Sequence, residues 1–189
     1  MVNKIDNSID NPFDIFFYKI IDKQLVTYYN LNFTPNSLTT ISLIFGILAS
    51  YYFYKCNYKF AAFLFIIAYY FDCADGKLAR KYNMTSKYGD IYDHYSDYFK
   101  FGLLFVFMYY KSREKTKKIL LPTIIMAVLV MLFYECQEKI YNKYESTSVL
   151  SINIFNKKNC NKYITILKYF GPGTFILYVT GLILFWKYI

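Results

Sequence analysis

The stretch FDCADGKLARKYNMTSKYGDIYDHYSDYFKF, residues 71–101, decides the fold. It carries Asp72, Asp75, Asp93 and Asp97 at the point where one long apolar run ends and the next begins. A charged carboxylate deep in a membrane helix costs about 2.5–3.5 kcal/mol on insertion scales. Four of them facing lipid would cost on the order of 10 kcal/mol by the same figure. The two runs are therefore expected to be helices that turn these ends toward an interior or an aqueous cavity.

Helical spacing sharpens this. Asp93 and Asp97 are i and i+4, and Gly89 lies one turn earlier, so all three share a face. Asp72 and Asp75 are i and i+3; Gly76 and Arg80 continue the Asp72 row, and Ala79 continues the Asp75 row. Two stripes result, each mixing carboxylates with very small residues. Crowded carboxylates repel unless protonated or bridged by cations, and all-oxygen ligands suit Mg²⁺ or Mn²⁺. The small residues leave room for a ligand to approach the backbone, and Arg80 offers a planar fork for phosphate. Such a layout suits phosphoryl transfer at a two-metal site. The plainer alternative is helix-end charges touching headgroups and water; four aspartates on two small-residue stripes argue against it.

The pattern Asp72-x2-Asp75-Gly76-x2-Ala79-Arg80-x8-Gly89-x3-Asp93-x3-Asp97 resembles the signature of the CDP-alcohol phosphotransferase (CDP-alcohol phosphatidyltransferase) family, with all eight fixed positions matched. Thr34-Pro35-Asn36 and Thr39 extend the likeness upstream, and it covers about residues 10–110. The resemblance implies an enzyme of phospholipid biosynthesis that moves a phosphatidyl or phospho-alcohol group from a CDP-linked donor to an alcohol, with release of CMP. Asp72, Asp75 and Asp93 would bind a pair of divalent metals. Asp97 would join them and act as the general base. Gly76, Ala79, Arg80 and Gly89 would hold the CDP moiety, completed by Asn36 and Thr39. The form Asp-Gly-Lys with Asp93-His94 looks closer to the choline and ethanolamine branch. Diacylglycerol would be the acceptor there, and a small polar alcohol if the donor is CDP-diacylglycerol. His94, the one histidine, lies one residue off the Asp93/Asp97 stripe; it reads as a helix-interface contact, with a role near the acceptor as the alternative.

Working outward, about 36–54, 59–75, 89–110, 118–136 and 163–187 each suit a membrane span of roughly 20 residues. Gly171-Pro172-Gly173 is expected to break or kink the last. The family is described with six spans and five are legible; residues 138–162 read as a polar loop, unless the apolar TSVLSINIF within it is a short sixth helix. The fold class is thus an all-α polytopic transmembrane bundle over 35–189. Residues 1–34 form an N-terminal segment, in which Asn11-Pro12 starts an amphipathic interfacial helix.

Composition agrees. Hydrophobic residues are 56%, aromatic 23% and charged 19% of 189 residues, too apolar for an ordinary soluble domain. The net charge of +9 comes from lysines scattered between apolar runs, which argues against nucleic acid as a partner and for membrane lipids. On alternate loops Lys and Arg number 13 against eight, which puts the N-terminus and the acidic cluster on the cytoplasmic side, that of an endoplasmic-reticulum-type membrane in a eukaryotic or viral host. No apolar leader is visible, so the first span is expected to be its own targeting signal. The four cysteines show no spacing for zinc and indicate no disulfide framework. Readings from other classes are a divalent-cation transporter and a catalytically inactive scaffold of the same fold. A homodimer is left open.

Overall fold

The computed structural model describes residues 10–141 and 154–189. These residues are helical throughout, with no strand among them. In chain order the helices are α1 (Pro12–Asn30), α2 (Pro35–Tyr54), α3 (Tyr58–Lys81), α4 (Lys87–Lys111), α5 (Arg113–Tyr141), α6 (Lys157–Leu167) and α7 (Pro172–Leu184), with a 3₁₀ turn over Lys168–Phe170.

Local chemistry sets the starts. The Asn11 side chain accepts from the Phe13 amide, with Pro12 in the first turn. Thr34 and Ser37 cap α2 reciprocally, each side chain bonded to the other's backbone N–H at 3.0–3.2 Å. The Ser86 hydroxyl accepts from the Gly89 amide at 3.0 Å and starts α4. Asn83, at φ 54°, turns the chain between α3 and α4; asparagine tolerates that region better than most side chains do.

Among the described residues, three segments are long and apolar enough to cross a membrane: Pro35–Tyr54, Arg113–Ile140 and Lys157–Leu184. The chain is accordingly an integral membrane protein. At 1.5 Å per residue, α3 and α4 reach about 36 Å, beyond a hydrocarbon core of about 30 Å, but most of their charges lie in the half that carries the aspartates. Leu120, Leu121, Ile124 and Ile125 on α5 and Ile44, Ile47 and Leu48 on α2 stay exposed, as lipid-facing side chains would.

The bundle centres on α2, which packs against both α3 and α4. At the end away from the acidic cluster, Ala49, Phe53, Ala61, Phe65, Leu104, Met108, Val179 and Trp186 form the main core. A second cluster docks α1: Ile21 and Leu25 pack on Leu38, Ala74 and Leu78. Lys77 lies almost fully buried and pairs with Asp22 of α1 at 2.6 Å. Phe13, Phe16, Ile20 and Val26 of α1 remain exposed beside the apolar belt.

Two expectations need correction. Cys136 of α5 and Cys160 of α6 are joined as a disulfide, with Cα atoms 4.8 Å apart, although their sequence spacing had indicated none. The polar 138–162 interval is also shorter as a loop than expected. α5 continues to Tyr141 and α6 begins at Lys157, with Asn156 as its cap. Most of TSVLSINIF lies outside the described residues. The expected break does fall at Gly171, which ends the 3₁₀ turn and precedes α7.

Asp14 joins α1, α3 and α7. It is almost fully buried and accepts a hydrogen bond from the Tyr69 hydroxyl. Burial pushes its carboxyl up to about 7, against the opposing pull of the Tyr69 hydrogen bond. An unfolded Asp titrates near 3.9. Between those values the folded chain holds a proton that the unfolded chain has released. Stability is therefore full below about pH 4 and is expected to fall as pH rises to about 7. Thermal unfolding of the wild type in detergent should show this slope, and Asp14→Asn should flatten it.

Candidate active site

The start of α2, the end of α3 and the start of α4 meet around one cavity of about 1080 Å³. From α2 it is lined by Asn36 and Thr39. From α3 come Asp72, Asp75, Gly76, Ala79 and Arg80, and from α4 Gly89, Asp93 and Asp97. Every candidate residue read from the sequence thus faces the same space. α5 and α7 add Val130, Met131, Tyr134, Phe175 and Ile176, with Glu135 and Glu138 of α5, so the lining combines charged and apolar side chains.

The carboxylates are not equivalent. Asp72, Asp93 and Asp97 each bring one oxygen to within 4.8 Å of the others. Asp75 is outside that set of oxygens; its Oδ2 accepts from Thr39 Oγ1 at 2.6 Å. Thr39, expected beside the nucleotide, therefore fastens α2 to α3 through a carboxylate.

Two of the small residues lie close under neighbouring side chains of the cavity. A Cβ on Gly76 would sit 3.1 Å from Arg80 Nη1, so the glycine lets the guanidinium lie along the helix. A Cβ on Gly89 would sit 3.1 Å from Asn36 Oδ1. Thr40 and Tyr92 add a hydrogen bond of 2.9 Å between α2 and α4. Arg80 Nε is buried without a hydrogen-bond partner, the state of a donor awaiting an anion. His94 lines the cavity, and its Nε2 lies 3.7 Å from Asp90 Oδ1 on the same helix.

One central residue was missed in the sequence reading. Lys100 Nζ lies 2.8 Å from Asp72 Oδ1 and 2.7 Å from Asp97 Oδ1, and donates to Ser42 Oγ at 2.7 Å. Two signals were available: Lys100 is i+3 from Asp97, and it is the one basic residue inside the apolar part of its run.

The donor set fits a hard divalent cation: three carboxylates within reach of one another, all oxygen. The unpartnered Arg80 donor fits a phosphate beside it. The site thus combines an acidic cluster with a buried arginine at one end of a helical bundle. The chain belongs to the CDP-alcohol phosphatidyltransferase family, whose sequence model matches residues 32–187. It is also similar to an archaetidylinositol phosphate synthase of Pyrococcus horikoshii, 39% identical over 67 residues. That match covers 35% of this chain and 36% of the relative, so the chain spans about a third of the curated relative it matches. No solved structure matches.

Proposed function

We propose that this protein transfers a phosphatidyl or phospho-alcohol group from a CDP-linked donor to an alcohol acceptor and releases CMP. One observation carries the reading: all ten candidate residues line a single cavity whose lining has a double character, charged and polar side chains together with apolar ones. A CDP-linked lipid has the same double character. In this reading α2, α3, α4, α5 and the α6–α7 pair cross the bilayer. The acidic cluster faces the cytoplasm, as the lysine bias favours.

Asp72, Asp93 and Asp97 would hold the divalent ion, Mg²⁺ or Mn²⁺, with Asp75 beside them. The ion supplies positive charge against the diphosphate as negative charge moves onto the leaving CMP. Arg80 takes the diphosphate with its fork, and the missing side chains at Gly76, Ala79 and Gly89 admit the nucleotide. Asp97 accepts the proton of the acceptor hydroxyl. The oxygen forms its bond to the phosphorus that carries the transferred group, and the bond from that phosphorus to the CMP oxygen breaks with its electron pair. Catalysis rests on positioning and on fixed charge.

A relative that makes archaetidylinositol phosphate favours a CDP-activated lipid as donor over CDP-choline or CDP-ethanolamine. The test is CMP release by the purified chain in vesicles with Mg²⁺. CDP-diacylglycerol plus pooled polar alcohols, including inositol phosphate, is compared with CDP-choline or CDP-ethanolamine plus diacylglycerol. Release in the first mixture supports the reading. Release in the second moves the donor to the soluble side. CDP binding without release in either points to the inactive scaffold, and Mg²⁺ flux without nucleotide points to the transporter.

A further inference from the structure

We infer that the acceptor is a small polar alcohol that carries no phosphate, recognised through the carboxylates of Glu135 and Glu138 on α5. The inference rests on the transferase reading with a CDP-activated lipid as donor, and it names the acceptor class.

The residues assigned to CDP and metal come from α2, α3 and α4. To the same cavity α5 brings Ala127, Val130, Met131, Tyr134, Glu135 and Glu138. Steps of three and four residues connect them, so they form one stripe of the helix. The stripe changes character along its length. It is apolar as far as Met131, which suits the chains of a lipid donor. From Tyr134 onward it is polar, and it carries two carboxylates there.

Glu135 is prepared to receive a donor. It is 7% exposed. Its Oε1 accepts from Lys139 Nζ at 2.6 Å and from the Phe155 amide at 2.9 Å. Its Oε2 is buried and has no hydrogen-bond partner. A buried polar atom is rarely left so. A hydroxyl or ammonium group of a ligand in the cavity would satisfy it, whereas a fully ionised phosphate has only acceptors to offer. Lys139, the cation beside it, also donates to the Phe155 carbonyl and is not among the described residues that line the cavity.

Charge points the same way. Among the described residues, seven carboxylates line the cavity against three cations, Arg80, Lys87 and Lys100. An ammonium has three donors, and Lys100 already meets Asp72, Asp97 and Ser42 at 2.7–2.8 Å. Arg80 is assigned to the diphosphate. Lys87 is exposed in the first turn of α4, where water and salt screen it. None of the three is left for a second phosphate. A phosphorylated acceptor beside Glu135 and Glu138 would set like charges together, which is strongly disfavoured. Such repulsion is itself a source of specificity.

The test uses the purified full chain in vesicles with CDP-diacylglycerol and Mg²⁺. CMP release is compared for two matched pairs, inositol with inositol 1-phosphate and glycerol with glycerol 3-phosphate, and for serine and ethanolamine. A free alcohol is expected to exceed both phosphorylated ones in kcat/KM by at least about tenfold. Glu135→Gln keeps an Oε1 for Lys139 and Phe155, and Glu138→Gln keeps the length of its side chain. Each should raise the KM for the free alcohol, leave the KM for CDP-diacylglycerol unchanged and narrow the preference against phosphate. A wild type that prefers a phosphorylated acceptor overturns the inference whether or not either variant folds. So do folded variants in which neither KM moves, and so does release only from CDP-choline or CDP-ethanolamine with diacylglycerol as acceptor. These three outcomes leave the transferase reading standing; no release in any mixture overturns both.

Discussion

Asp97→Asn is expected to lower CMP release about 10²–10⁴-fold, the usual contribution of a positioned general base, while the protein still folds and binds CDP. The size of the loss follows from what the substitution changes and what it keeps. An asparagine Oδ1 can still accept from Lys100 Nζ, which now bonds the Asp97 carboxylate at 2.7 Å. Lys100 also keeps Asp72 and Ser42, at 2.8 and 2.7 Å. The three helices therefore stay tied, and nothing in the proposed CDP-binding group of Gly76, Arg80 and Gly89 is touched. What disappears is one negative charge and the basic oxygen. The measurement is single-turnover CMP release beside CDP binding on the same preparation. A variant that binds CDP and retains more than about a tenth of the wild-type rate removes Asp97 from the base role and leaves it as a charge in the cluster.

Much of this site is written into the chain because helical spacing is local. The rows Asp72–Gly76–Arg80 and Gly89–Asp93–Asp97 follow from a 3.6-residue period, and the Asn11-Pro12, Thr34-Pro35 and Ser86 caps follow from side chains that bond within three residues. Lys100 was not legible in the same way. Its partners Asp72 and Ser42 are 28 and 58 residues away, and only the crossing of α2, α3 and α4 brings them together. Gly46 reads in sequence as one more small residue of an apolar helix, and its purpose appears only when a lysine stem from α4 lies over it. Thr39 was placed near the nucleotide by likeness and lines the cavity; its bond to Asp75 depends on how α2 and α3 cross. The Cys136–Cys160 pair spans an interval whose composition suggested a plain loop, so nothing local marked it. The conclusion is physical: residues that act within one helix announce themselves by period, while those that act between helices need the packing angles.

Gly173→Ala should destabilise the fold by about 2–5 kcal/mol, combining the cost of overpacking with a lost hydrogen bond to a charged group. The argument starts from how α7 begins. Gly171 is its cap residue and offers no side chain to bond the first amides. The missing partners come from α1 instead. The Asp14 carboxylate accepts from the Gly173 backbone N–H, and Asn11 Nδ2 donates to the Lys168 carbonyl at 2.7 Å and to Thr174 Oγ1 at 2.9 Å. A Cβ at Gly173 would overlap Asp14 Oδ1 and come within 2.9 Å of both Asn11 Oδ1 and Phe13 Cβ. None of these is the free end of a flexible chain, so α7 must back away from α1. That movement strips the buried Asp14 of a donor and leaves Tyr69 as its remaining partner among the hydrogen bonds described here. Gly181→Ala is the control within the same helix, since a Cβ there meets nothing within 4 Å. An alanine in that open helical position should be neutral or stabilising by roughly 0.5–1 kcal/mol. For a chain of this size 1 kcal/mol moves the thermal midpoint by about 2–4 °C. The two variants should therefore separate by roughly 5–20 °C in a detergent melt, and coincident melts would mean that the α1–α7 junction does not hold the N-terminal helix to the bundle.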